Sequence, residues 1–297
     1  MFTGLSAFPL TPMDEHKIDE AGFVRLVTRL VEAGVDSIGA LGSTGSYAYL
    51  SRAERAKVAQ LAVQNAGKIP VMVSIAALRT RDVLEYAEDA QKAGVNGVLL
   101  APMSYQQLKD EEVYDLYKTV TANLSVPLCV YDNPGTTNFH FSDALHGRIA
   151  QLPNVRSIKI PGVPASVTQA RARVDQLRAL IPSYVTIGVS GDSSAATGLN
   201  AGCEAWYSVI GGLFPRTALE LSRAARGGDS AEAIRLSERL QPLWSLFAEC
   251  GGSLRVVAAA AELQGLVNRA CLPAPLKSAS GVIREKLALV IKELELA

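Results

Sequence analysis

A short apolar or β-branched run, a turn and an amphipathic helical stretch recur along this chain about every 25–30 residues, the spacing of strand–helix units in a parallel sheet. The candidate strands are Leu5–Phe8, Ser37–Leu41, Val71–Ile75, Gly97–Ala101, Leu128–Tyr131, Arg156–Ile160, Val185–Val189 and Ala205–Val209. Most are near-continuous apolar runs, as strands covered on both faces must be. In the stretch Ile18–Ala33, the side chains of Phe23, Leu26, Val27 and Leu30 share one helical face, and Gly34 supplies the stop. Ser51–Ala66 opens on Ser51 and Glu54, the two partners of a capping box, and Thr80–Ala93 halts at Gly94. Eight such units predict a (β/α)8 TIM barrel over residues 1–225. A doubly wound open sheet also alternates, but usually carries fewer strands in a domain of this size, so the barrel is preferred.

Beyond Gly228 the strands stop. Asp229–Cys250, Ser253–Leu266 and Pro275–Leu296 read as three helices, so residues 226–297 are expected to form a C-terminal helical extension. Its apolar residues (Leu243, Trp244, Leu246, Phe247, then Val256, Val257, Leu263, Leu266) require burial on the barrel or on a neighbouring subunit.

Composition removes several function classes. Lys plus Arg equals Asp plus Glu at 29 each, so no basic stripe calls for nucleic acid and no acidic tail for a basic partner. No apolar run reaches the roughly 18 residues of a membrane helix, and the start Met-Phe-Thr-Gly-Leu-Ser does not read as a secretory signal. The four cysteines (Cys129, Cys203, Cys250, Cys271) lack C-x-x-C spacing and the three histidines stand apart, so no metal is expected. Scattered thiols, two of them in apolar runs, suit a reducing cytoplasm.

The chemistry centres on Val126–Pro161. Two consecutive strands each end on a reactive side chain, Tyr131 and Lys159. A lysine in an apolar strand is expensive, and burial disfavours the ammonium over the neutral amine. The neutral amine is the form that attacks a carbonyl to make a Schiff base. The plainer reading, a lysine snorkelling its charge to water, competes on Lys159 alone. The tyrosine ending the preceding strand and the position in the fold weigh toward the functional reading: in a barrel, the C-terminal strand ends and the turns after them carry function. Those turns hold Gly42-Ser43-Thr44-Gly45-Ser46, where glycines and the head of the next helix could cradle an anion. They also hold Pro102-Met103-Ser104-Tyr105, Asp132-Asn133-Pro134-Gly135, Ser190-Gly191-Asp192 and Gly211-Gly212.

The G-[ST]-T-G turn at Gly42–Gly45, Y-[DN]-x-P at Tyr131–Pro134, I-K at Ile158–Lys159 and S-G-D at Ser190–Asp192 stand in one order and spacing. In these motifs the chain resembles the dihydrodipicolinate synthase / N-acetylneuraminate lyase family of class I aldolases, over nearly its whole length. The resemblance implies that Lys159 forms a Schiff base with pyruvate or a related 2-keto acid, whose protonated imine serves as electron sink without any cofactor. Tyr131 would be the acid/base, with Ser43 as relay and Thr44 binding the carboxylate. Gly191 and Tyr207 match positions lining the pyruvate site, and Tyr105 matches an aromatic residue placed near a partner subunit's site. Members are often dimers or tetramers, so a homo-oligomer is expected.

Three departures from the family pattern stand out. The lysine-biosynthesis branch carries an arginine where this chain has Thr136. Gly-Ser-Thr-Gly-Ser, followed by Tyr47 and Tyr49, replaces Gly-Thr-Thr-Gly-Glu. Ile160-Pro161-Gly162 follows the lysine where many members have Glu. Thr136 would then line a reshaped substrate pocket, and dihydrodipicolinate synthase itself is disfavoured. The expected activity is carbon–carbon cleavage or formation between a 2-keto acid and an aldehyde. A Schiff-base dehydratase of keto-deoxy sugar acids, or a non-catalytic binding barrel, are the alternatives.

Overall fold

The computed structural model describes residues 1–296; Ala297, the last residue of the expected extension, lies outside the described residues. Eight parallel strands close on themselves in chain order: β1 (Gly4–Ala7), β2 (Ser37–Ala40), β3 (Val71–Ser74), β4 (Gly97–Leu100), β5 (Leu128–Tyr131), β6 (Val155–Ile160), β7 (Thr186–Val189) and β8 (Ala205–Ser208). β1 pairs with β8 through Leu5 opposite Trp206 and Ser6 opposite Tyr207, which seals the cylinder. Each strand lies at or within a residue or two of its expected limits. Closure leaves no sheet edge, and the strand side chains are buried almost without exception.

Helices return the chain between strands: α1 (Glu20–Ala33), α2 (Arg52–Asn65), α3 (Thr80–Ala93), α4 (Asp110–Thr121), a single turn α5 (Pro134–Thr137), α6 (Asp143–Ala150), α7 (Val167–Arg178), α8 (Ala195–Asn200) and α9 (Pro215–Arg226). The local signals work as read. Ser51 Oγ accepts from the Glu54 amide while the Glu54 carboxylate accepts from the Ser51 amide. Gly34 and Gly94 end α1 and α3 at φ of 75° and 84°, in the left-handed region that glycine enters without steric cost.

The extension differs from expectation in the number and limits of its helices. Its first helix is two, α10 (Ser230–Arg239) and α11 (Gln241–Glu249), followed by α12 (Leu254–Leu263) and α13 (Gly281–Glu293). Pro242 is the cause. It has no N–H for the preceding turn, so the chain breaks at Leu240 and restarts with proline in the first turn of α11. The last helix begins at Gly281 rather than Pro275, after an irregular approach in which the Ala279 amide donates to the Arg255 carbonyl. Leu243, Trp244 and Leu246 are buried, so the apolar face of α11 is covered within this chain.

Candidate active site

A cavity of about 780 Å³ opens among the residues that follow the strand ends. The Lys159 side chain enters it from β6, and only 5 % of that residue is exposed. β5 and β6 are in register with Tyr131 opposite Lys159, and β7 places Gly188 on the lysine's other side. The amine nitrogen sits 4.1 Å from the ring centroids of both Phe8 and Tyr131, and 5.7 Å from that of Tyr207. It is therefore not snorkelling to water; ring faces hold it and aim it into the cavity.

Missing side chains make room for those rings. A Cβ on Gly39 would lie 2.4 Å from the Phe8 ring, and one on Gly42 2.6 Å from it. A Cβ on Gly188 would lie 2.2 Å from the Tyr207 ring. Phe8 and Tyr207 meet edge to face, with centroids 6.1 Å apart, and form a floor beneath the amine. The Tyr207 hydroxyl is already engaged, 2.6 Å from Ser157 Oγ and within 3.4 Å of the Cys129 thiol. Tyr207 thus lines the cavity with its ring alone. The buried Cys129 thiol donates to that hydroxyl.

The Tyr131 hydroxyl stands 3.2 Å from Ser43 Oγ and accepts a hydrogen bond of 2.8 Å from Asn133 Nδ2. Because Asn133 donates, the phenol keeps its own proton for Ser43 or for a ligand. Asn133 was not singled out in the sequence; its place two residues after Tyr131, in the turn that Pro134 starts, was the available signal. Ser43, Thr44, Gly191 and Thr136 line the same cavity.

The anion cradle takes another form than expected. The Gly42–Ser46 turn leads into a single 3-10 turn, Tyr47–Tyr49, and α2 starts only at Arg52 with its end capped by Ser51. No long helix points its N-terminus from this turn. Ser43, Thr44 and Ser46 line the cavity instead, on a backbone with Leu41 at φ 58° and Ser46 at φ 52°. Such values are uncommon for non-glycine residues, and least expected for leucine. Tyr47 is pinned by buried Arg55, whose guanidinium lies 5.4 Å from its ring and 3.9 Å from that of Tyr86 and donates to the Ser74 and Ala76 carbonyls. Burial pushes the Tyr47 phenol up to about 12 and the Arg55 guanidinium down to about 10.

Asp192 also lines the cavity, with its carboxylate engaged by the fold. Its carboxylate accepts from Trp206 Nε1 and the Val209 and Ile210 amides, which ties the β7 turn to the β8 turn. The second pair of buried ionisable groups, Asp132 and His146, approach to 3.5 Å behind Tyr131. Burial raises the Asp132 carboxyl to about 7 and lowers the His146 imidazole to about 4.

Tyr105, expected near a partner subunit's site, is 91 % exposed and does not line this chain's own cavity. The extension, read as a packing element, supplies one wall: Trp244 and Phe247 of α11, Gly251, Gly252, Ser253, then Leu254 and Arg255 of α12. Among the described residues no three His, Cys, Asp or Glu side chains converge in the manner of a metal site.

A model of the dihydrodipicolinate synthetase family matches residues 1–294. The chain belongs to that family. The 4-hydroxy-tetrahydrodipicolinate synthase of Gluconacetobacter diazotrophicus is 32 % identical over 294 residues, 97 % of this chain and 96 % of the relative. A solved dihydrodipicolinate synthase from Agrobacterium tumefaciens str. C58 superposes with a TM-score of 0.94 at 42 % identity, covering 99 % of this chain and 98 % of its own. A chloride-inhibited dihydrodipicolinate synthase from Acinetobacter baumannii, solved in complex with pyruvate, gives 0.90 at 25 % identity with all of both chains covered. Members of the family are lyases of the class I aldolase type, and this enzyme is one of them. The expectation that it is not the synthase itself finds no support in these relatives' names.

Proposed function

We propose that this enzyme forms a Schiff base between Lys159 and pyruvate or a related 2-keto acid, and makes or cleaves a carbon–carbon bond with an aldehyde. The observation that carries the reading is the amine of Lys159 held over the Phe8 and Tyr131 rings at 4.1 Å, beside a phenol hydrogen-bonded to Ser43 and Asn133. The amine adds to the keto carbon and the carbonyl oxygen leaves as water, with the Tyr131 hydroxyl handing protons in and out. Ser43 relays that proton. Thr44, with the turn around it and Gly191, holds the carboxylate, and the glycine lets a ligand approach backbone closely. The imine then draws electrons from the bond that breaks. The pyruvate complex of the Acinetobacter baumannii relative supports pyruvate as the first keto acid to test.

Thr136 on the cavity wall supports a partner substrate other than that of the synthase, since it brings no charge to that wall. Water loss from a keto-deoxy sugar acid through the same imine is the second reading, favoured by the hydroxyls of Ser43, Thr44, Thr136, Ser190 and Ser193 around the cavity. Exposed Tyr105, with Val282 and Leu289 exposed seven residues apart on α13, supports a homo-oligomer in which Tyr105 serves a neighbouring copy. Four unpaired cysteines support a cytoplasmic location.

Incubation with pyruvate and borohydride, followed by intact mass and peptide mapping, tests the reading. A reduced adduct on Lys159, absent from Lys159→Ala, is the expected result. An adduct on another lysine, or none, refutes it. Product analysis with candidate keto acids separates aldol cleavage from dehydration, and light scattering tests the oligomer.

A further inference from the structure

The cavity is much larger than a three-carbon keto acid requires, and its charges are unevenly distributed. Of the residues lining it, Lys159, Asp192 and Arg255 carry ionisable charge. The Asp192 carboxylate is taken up by Trp206, Val209 and Ile210. Lys159 is committed to the keto carbon. Arg255 is left over: it is an exposed residue of the lining, and among the described residues its guanidinium has no ion-pair, hydrogen-bond or ring partner. The nearest acids in sequence pair elsewhere, Glu249 with Lys286 at 3.4 Å and Glu262 with Arg284 at 2.7 Å.

Its position is electrostatically unfavourable as well. Arg255 is the second residue of α12, whose first turn holds no acidic residue, so a cation faces the positive end of the helix dipole. A cation in that place without an acidic neighbour gains most from an anionic ligand. Ser46 adds a separate sign: it lines the same cavity, is 3 % exposed, and its Oγ has no hydrogen-bond partner. A buried hydroxyl left in that state asks for a polar ligand group.

We propose that Arg255 determines specificity by holding a second carboxylate, at the end of the substrate's carbon chain away from the keto group. The substrate is thus a dicarboxylic 2-keto acid, its first carboxylate near Ser43 and Thr44 and its second paired with the guanidinium from the helical extension. The extension is thereby part of the substrate site, and an arginine suits the task because its planar fork matches a carboxylate. The assignment rests on the Schiff-base reading above, since the keto carbon must be anchored at Lys159.

The test compares acids of equal chain length: 2-oxoglutarate against 2-oxopentanoate, and 2-oxoadipate against 2-oxohexanoate. For each, the concentration giving half-maximal borohydride trapping at Lys159 is measured. The wild type should trap at least one dicarboxylate at a concentration about 10- to 100-fold lower than its monocarboxylic partner, the range of one charge-assisted contact. In Arg255→Gln that preference should fall to about twofold or less, and Arg255→Lys should restore part of it. A purely structural role would shift both members of a pair together and leave their ratio intact. No preference in the wild type, or one that survives in Arg255→Gln, overturns the assignment while leaving the pyruvate reaction standing. Failure of pyruvate itself to trap at Lys159 overturns both.

Discussion

Asp192→Asn isolates the clasp that joins two substrate loops. In the wild type Oδ1 accepts from Trp206 Nε1 at 3.0 Å and from the Val209 amide at 3.1 Å, while Oδ2 accepts from the Ile210 amide at 2.8 Å. Asparagine has the same shape but one acceptor oxygen. Kept in place of Oδ1, that oxygen leaves the new NH₂ facing the Ile210 N–H; turned over, it leaves two donors facing it. At least one buried N–H is then unsatisfied, at about 1–3 kcal/mol, and the surviving bonds lose their charge assistance. The amide recovers part of this, because burial opposes the carboxylate's charge and pushes its pKa up. The net loss is about 2–3 kcal/mol. For a chain of this length that lowers Tm by roughly 3–5 °C. The loops carrying Gly191 and Val209 loosen with it, so the keto-acid concentration for half-maximal trapping should rise severalfold. Calorimetry and the trapping titration read both quantities. A variant that melts within about 1 °C of the wild type, with an unchanged titration, refutes the clasp.

Tyr131→Phe should lower turnover by about 10²-fold or more, the usual scale of a positioned acid–base group, with the melting point held to within about 2 °C; turnover within about fivefold of wild type would dismiss the phenol as proton carrier. Gly188→Ala drives a methyl into the Tyr207 ring, which lies 2.2 Å from the Cβ site, and should cost about 1–3 kcal/mol by overpacking; an unaltered urea midpoint would show that the floor is not tightly fitted. Asp132 and His146 predict opposite pH slopes. Folded, the acid keeps its proton up to about 7 and the imidazole gives its proton up near 4; unfolded, they titrate near 3.8 and 6.5. Between about pH 4 and 6.5 both states hold one proton on the pair, so the wild type shows little slope from it. Asp132→Asn leaves the imidazole alone, and stability should rise with pH from about 4 to 6.5. His146→Gln leaves the raised acid alone, and stability should fall as pH climbs from about 3.8 to 7, by up to about 1.4 kcal/mol per unit. Arg173 and Asp143, which also face the pair, are retained in both variants. Urea titrations across this range check the signs, and matching slopes in the two variants would count against the pair.

The recurring strand–helix unit, the Ser51–Glu54 cap, the stops at Gly34 and Gly94 and the placing of Tyr131 and Lys159 at neighbouring strand ends were legible because each is written within a few residues. Periodicity, capping and strand ends are local, and a barrel turns eight local units into one rim. Helix breaks were less so: Pro242 was visible, but the strength of the apolar pattern around it hid the break. The rest is non-local. Phe8 reaches Lys159 across about half the chain, into space that Gly39 and Gly42 leave empty. Trp244, Phe247 and Arg255 come to the cavity from the far end of the sequence. Asn133 acquires meaning only where its amide meets the Tyr131 hydroxyl. By itself the sequence determined the barrel's strand–helix units and which side chain is the candidate for a covalent bond. Tertiary closure decided what surrounds that amine, because those neighbours are selected by packing between segments that share no local pattern.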